Sequence, residues 1–207
     1  MNGKNNTAGI AAVAAVLLAA SFFLDGMAAA FIRSVQMQPI TTAVAAFNKY
    51  FVWIYAALLA ATAASILKAA AKEDKGRKIL AMAASIITAM AVTHLLKLAV
   101  HRLRPDGMLF VNPLLGNLDY SFPSGHATAA AAGAFSAPPA FRMLWLAFTA
   151  ATMLSRVYSN VHFLSDTVGG LIVAFVVSAL IKNKFKKGVN AEDKTEIRRQ
   201  VMHALVG

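Results

Sequence analysis

Ile79–Val100 reads ILAMAASIITAMAVTHLLKLAV, a stretch with a single charged side chain. It is an apolar run that reaches the ~20 residues a helix needs to cross a bilayer, yet it carries Lys97 close to its end. Outward from it, comparable runs occupy Ala8–Leu24, Ile40–Ala71 and Phe163–Ile181. Two shorter ones, Ala127–Ala137 and Ala140–Leu154, are separated by Pro138 and Pro139. The hydrophobic share of 58% lies above the roughly 45–50% of soluble domains. A soluble core could hide one such run but not six. The expectation is therefore an all-α bundle of six transmembrane helices over residues 1–187. The first run counts as a span, not a cleaved leader, because it exceeds the roughly 7–15 apolar residues of a leader's core.

Between the spans, Asp25–Gln38 mixes small, apolar and polar residues up to Pro39, which predicts a short helix lying at the interface after the first span. Lys72–Arg77 reads as a solvated turn. The third span is expected to continue to Arg104, where Pro105, Asp106 and Gly107 stop it, and Met108–Phe122 forms the longest loop. The Ala-rich Ala127–Ala134 suits close helix packing. Residues 188–207 form a tail in which Ile197, Val201 and Leu205 recur at helical spacing, consistent with a short amphipathic helix or with no fixed structure.

Charge orients the bundle. With six spans and a cytoplasmic amino terminus, Lys4, Lys68, Lys72, Lys75, Arg77, Lys78, Arg142 and the seven Lys and Arg from Lys182 onward all lie inside, 14 of the 20. The positive-inside rule then places both termini in the cytoplasm of a multi-pass inner-membrane protein. The formal charge of +11 is split between segments flanking the spans and polar islands, without a basic face interleaved with aromatics, so a nucleic-acid partner is excluded. Lys182–Lys187 instead suits anionic lipid headgroups at the cytoplasmic face. Cysteine is absent, so there is no disulfide and no thiolate metal site; with five His and no Glu-rich or His-rich cluster, no metal is expected.

Three polar islands interrupt the apolar sequence, and this topology puts them all on the extracytoplasmic side. The first holds Lys97 and Arg104, seven residues apart, which on one helix share a face with His101 between them and can grip several phosphate oxygens. The second, Pro123-Ser124-Gly125-His126, opens a helix: Ser124 suits the cap, Gly125 lets a ligand approach the backbone, and His126 stands where it can give up a proton. In the third, Arg156 precedes His162 and Asp166, whose spacing of four lets the carboxylate fix the imidazole tautomer and leave the other ring nitrogen free to attack. Each island alone also suits a structural role: interfacial cations, an ordinary capped helix, a polar pair at a helix end.

Together they match a family pattern. Lys97, six residues, Arg104-Pro105; Pro123-Ser124-Gly125-His126; and Ser155-Arg156, five residues, His162, three residues, Asp166 stand in this order. The chain resembles the type 2 phosphatidic acid phosphatase superfamily of integral membrane lipid phosphatases, in motif detail over Lys97–Asp166 and in layout over about Ala8–Ile181. Similar bacterial members often have Gly where this chain has Asn160. The resemblance implies a metal-independent phosphatase without cofactor, in which His162 becomes phosphorylated, Asp166 orients it, and His126 protonates the leaving group. Lys97, Arg104, Ser124, Gly125 and Arg156 would hold the phosphate. The implied substrate is a lipid phosphate: an isoprenoid diphosphate such as undecaprenyl diphosphate, phosphatidylglycerophosphate, phosphatidic acid or lipid A. A lipid phosphotransferase using the same histidine, and a non-enzymatic binder or transporter of lipid phosphates, are the alternatives. Arg102, His94 and His101 fall outside the signatures and are read as packing or interface groups.

Overall fold

The computed structural model describes residues 3–69, 72–107 and 119–206, with the side chains of 9–69, 75–107 and 119–186. Six helices account for most of them: α1 Gly3–Ser34, α2 Gln38–Ala69, α3 Lys72–Val100, α4 Gly125–Ser136, α5 Pro139–Tyr158 and α6 Leu164–Val206. The architecture is all-α, as expected. By length and apolar composition four of the helices can cross a membrane, over Gly9–Ser34, Gln38–Ala69, Lys75–Val100 and Leu164–Lys186. Their outward faces carry Phe23, Trp53, Ile87 and Leu180, each more than half exposed. Such faces suit hydrocarbon rather than water.

Of the remaining two helices, α4 forms the centre and α5 packs against it. At 12 residues and 1.5 Å each, α4 is only about 18 Å long. It packs among α3, α5 and α6 with Ala127, Ala130, Ala131, Ala132 and Ala134 essentially without exposure. Small side chains let the backbones close in, which is the packing role expected of this stretch. A Cβ on Gly133 would lie 2.3 Å from the Trp145 ring, so the indole of α5 lies flat against bare backbone. The indole N–H donates to Thr62 Oγ1 on α2 at 2.9 Å, which satisfies it inside an apolar core.

Three expectations change. No separate interfacial helix follows the first span: α1 runs unbroken through Asp25 to Ser34, and only a short turn separates it from α2. Asp25 does not need the interface, because buried partners satisfy its carboxylate within the bundle (below). Lys72–Arg77 is the beginning of α3 rather than a turn. At its other end α3 stops at Val100, four residues short of Arg104: His101 adopts a left-handed φ of 52°, and Pro105 disfavours helix for the residue before it. Lys97 and Arg104 therefore do not share a helix face. Residues 188–206 continue α6, and the amphipathic face proposed for them lies outside the described side chains, as does most of the Met108–Phe122 loop.

Candidate active site

The three islands come together at one end of the bundle. A cavity of about 560 Å³ there is lined by Lys97, Arg104, Gly125, His126, Arg156 and His162, with Phe51 and Val52 of α2 and Met90 and His94 of α3 on its flank. Ser124 and Asp166, both fully buried, stand behind this lining.

Each group reaches its place by a local device. Lys97 points in from the last turn of α3. Arg104 returns from the loop beyond, its Nη1 donating to Val161 O at 2.9 Å, so that the first island is tied to the third. Ser124 occupies the N-cap position of α4 without a side-chain capping bond, while its N–H donates to Asp166 O at 2.9 Å. The first-turn amides of α4, which have no partner within a helix, face the end of the bundle where the cations stand. Arg156 ends α5, and its Nη1 is 3.4 Å from Asn48 Oδ1. Asn160 then takes a left-handed φ of 55°, a conformation Asn tolerates better than most residues, and turns the chain toward His162. Arg156 Nε and Ser124 Oγ are buried without a hydrogen-bond partner. Such atoms are what an incoming anion can satisfy.

His162 and Asp166 meet as their spacing requires, Nδ1 to Oδ2 at 3.4 Å, with Asp166 in the first turn of α6. The carboxylate is held on every side. Oδ2 accepts the Phe163 N–H at 2.8 Å and the Ser121 hydroxyl, and Oδ1 accepts Arg102 Nη1 at 2.8 Å. The other ring nitrogen of His162, Nε2, lies 3.5 Å from Arg104 Nη1. Burial, joined by the Arg104 and Lys97 cations, pushes the His162 imidazole down to about 4 despite Asp166. The ring is therefore neutral, with a lone pair, through the neutral range.

Several residues of the site were not singled out in the sequence. Asp119 bridges the two cations of the first island, Oδ1 to Lys97 Nζ at 2.9 Å and Oδ2 to Arg104 Nη2 at 2.7 Å. Burial alone would raise its carboxyl, but Lys97 and Arg104 together hold it below the ordinary carboxylate range. Arg102, read as an interface group, instead contacts Asp166 and Asp25. One signal was available: the chain has only 9 acidic residues, and Asp25 interrupts an otherwise apolar helix. A charge at such depth is kept for a reason. Among the described residues, no three His, Asp or Glu side chains stand together as a metal site.

Comparison with known proteins gives the family. The PAP2 superfamily model matches residues 78–189, more than half of the chain and all three islands. The chain belongs to the PAP2 superfamily. Two relatives described as lipid A 1-phosphatases, from Rhizobium etli and Rhizobium johnstonii, are each 34% identical over 98 residues, 42% of this chain. The matched region spans about two fifths of their length, 41% and 39%. In fold, this PAP2 protein is similar to the crystal structure of a transmembrane PAP2 type phosphatidylglycerolphosphate phosphatase from Bacillus subtilis. The TM-score is 0.61 at 19% identity, covering 87% of this chain and 96% of that one. It is also similar to Aquifex aeolicus LpxE, with TM-score 0.56 at 14% identity, covering 77% and 95%.

Proposed function

We propose that the chain is a membrane lipid phosphatase that works through a phosphohistidine at His162. The observation that carries this reading is the pairing at the cavity: His162 is held from behind through Nδ1 by Asp166, while Nε2 stands beside Arg104 among Lys97, Arg156 and the α4 N-terminus. A binder needs the cations but no oriented nucleophile. Here Nε2 attacks phosphorus, the bond from phosphorus to the lipid oxygen breaks, and His126 passes to that oxygen a proton that arrives with the phosphate, because burial and Arg156 otherwise hold its imidazole well below the usual histidine range. His126, now neutral, takes a proton from water, which attacks the phosphohistidine, releases inorganic phosphate and restores His162. Lys97, Arg104, Arg156, the Ser124 hydroxyl and the Gly125 amide hold the phosphate oxygens as charge spreads over them. Asp166 stabilises the imidazolium that forms. The cations supply the charge neutralisation a metal would otherwise give, so turnover is expected to survive EDTA.

The substrate class follows from the lining. A cationic end meets an apolar flank of Phe51, Val52 and Met90, which suits a phosphate carried on a lipid. Glycerolipid and isoprenoid phosphates fit this description, and the lipid A 1-phosphatase relatives add lipid A to the candidates. Phosphate release in detergent with EDTA, over phosphatidic acid, phosphatidylglycerophosphate, an isoprenoid monophosphate and diphosphate, and lipid A, ranks them. A product in which phosphate has moved to another lipid, with none free, would point to a transferase instead.

Asp119 adds a consequence. A phosphate that takes both Lys97 and Arg104 must displace the carboxylate that now bridges them. Asp119→Asn is expected to lower KM by roughly three- to tenfold, the scale of one partly exposed charge contact, with a smaller effect on kcat. Steady-state kinetics on the preferred lipid measure it.

The orientation is proposed from charge. Arg77, Lys78, Lys182 and Lys186 line one cavity at the end remote from His162, which the positive-inside rule assigns to the cytoplasm. The active site then opens on the extracytoplasmic side. A reporter fused after Gly207 is expected to be active only in the cytoplasm.

A further inference from the structure

The arrangement around Arg102 extends the catalytic pair beyond its two members. Asp25, from the middle of α1, is 7% exposed and is the sole acidic residue of an apolar span. Its Oδ2 accepts Arg102 Nη2 at 2.7 Å and the Ser165 hydroxyl at 2.6 Å, and its Oδ1 accepts the Ser165 N–H at 2.9 Å. Arg102 uses its other terminal nitrogen, Nη1, on Asp166 Oδ1 at 2.8 Å and on Ser165 Oγ at 2.5 Å. The guanidinium lies against the Phe163 ring at 3.9 Å and the Phe22 ring at 4.9 Å, which holds its plane. One planar cation is thus shared by two carboxylates, and the second of these orients His162. Asp25 also lies outside residues 78–189, the part of the chain that matches the family model.

We infer that Asp25 is a positioning residue for the reaction: by binding one side of the Arg102 fork it sets how strongly that guanidinium draws on Asp166, and hence how much of the Asp166 charge serves His162. This rests on the phosphohistidine reading above. The electrostatics have a definite sign. The charged and titratable groups around His162 are Asp166 of α6, Lys97 of α3, Arg102 and Arg104 of the following loop, Asp119 before α4, His126 of α4 and Arg156 of α5. Neutralising Asp25 leaves Arg102 with Asp166 as its remaining carboxylate, so the guanidinium competes harder with the imidazole. Neutralising Arg102 does the reverse and frees Asp166 for His162. Through-space charge alone would give the same two signs, so what marks the Asp25 effect as acting through the guanidinium is that it vanishes once Arg102 is neutral.

The test compares Asp25→Asn, Arg102→Gln, the double variant and His162→Ala, each purified in detergent and assayed on the preferred lipid phosphate across pH. Asp25→Asn is expected to lower kcat about tenfold, the usual scale for a group supporting a catalytic side chain, with KM little changed. The acid limb of its kcat/KM profile should move to lower pH by about half a unit, and that of Arg102→Gln to higher pH. The substrate's own ionisation is common to all variants and cancels. In the double variant the Asp25 substitution should cost nothing further. Wild-type kcat in Asp25→Asn, or limbs moving in the same direction, would overturn the inference. If Asp25→Asn does not fold, Arg102→Lys carries the test, because it keeps the charge and loses the fork: reduced kcat at unchanged KM supports the inference, and wild-type kcat overturns it. Full release by His162→Ala would overturn the phosphohistidine reading and the inference with it. Silent His162→Ala beside an unaffected Asp25→Asn would remove the inference alone.

Discussion

His162→Ala is expected to abolish phosphate release, lowering kcat by ~10,000-fold or more, because removing a nucleophile ends the covalent route rather than weakening one contact. Binding should survive. Lys97, Arg104 and Arg156 remain, and a lipid phosphate should still compete for the cavity with near wild-type affinity. The fold should survive too, because His162 contributes loose polar contacts near 3.4 Å rather than a packed apolar side chain. A folded, binding-competent protein without turnover is therefore the expected phenotype, read by phosphate release beside substrate binding and thermal melting. Residual release near the wild-type rate would assign the attack to water or to another group.

Asp166→Asn carries the second largest effect, with kcat reduced by ~1,000- to 10,000-fold, the scale seen when an orienting carboxylate becomes an amide. The side chain keeps its shape, yet it loses the charge that stabilises the His162 imidazolium, and it can no longer accept at both oxygens. It also leaves Arg102 paired with Asp25 alone. Some stability is lost with it, because removing one member of a buried ion pair costs about 3–5 kcal/mol where the partner is left uncompensated. Asp25 compensates Arg102 here, so the loss is expected at or below the bottom of that range. Steady-state kinetics and melting in the same detergent separate the two effects. Unchanged kcat with a lowered melting temperature would reduce Asp166 to a structural anchor.

The contrast between these residues and the ones the sequence did not reveal follows from how each is encoded. His162 and Asp166 are four apart at the start of a helix, so their contact is local and the spacing alone brings them together. The apolar runs likewise announce the long helices, because spanning length and composition are properties of a segment by itself. Lys97 and Arg104 were legible as a pair of cations but not in their geometry. A left-handed His101 ends α3, and Arg104 arrives by a loop tied to Val161, a tertiary arrangement without a periodic signature. Asp25 lies 77 residues before Arg102 in sequence and 2.7 Å away in space, so no local pattern could pair them. The interfacial helix failed for the same reason. The mixed composition of Asp25–Gln38 pointed to the interface, and only the folded bundle supplies the guanidinium and hydroxyl that let α1 continue past Asp25.

Asp119 makes the same point at Lys97 and Arg104. Nothing in a loop aspartate next to Tyr120 marks it as a bridge between Lys97 and Arg104, yet two buried cations at one site require a counter-charge whenever no phosphate is there. The site thus reads as a set of cations balanced by internal carboxylates: Asp119 in front of His162, and Asp166 with Asp25 behind it.

His162 is the proposed carrier of the phosphoryl group, and trapping the phosphohistidine tests this at once. Protein mixed briefly with lipid labelled in the phosphate, denatured in alkali and digested, should yield one labelled peptide containing His162, with the label stable to base and lost in acid. His162→Ala should yield none. Phosphate release at the normal rate without a labelled histidine under conditions that slow the second step, or a label on a peptide lacking His162, would rule His162 out as the carrier.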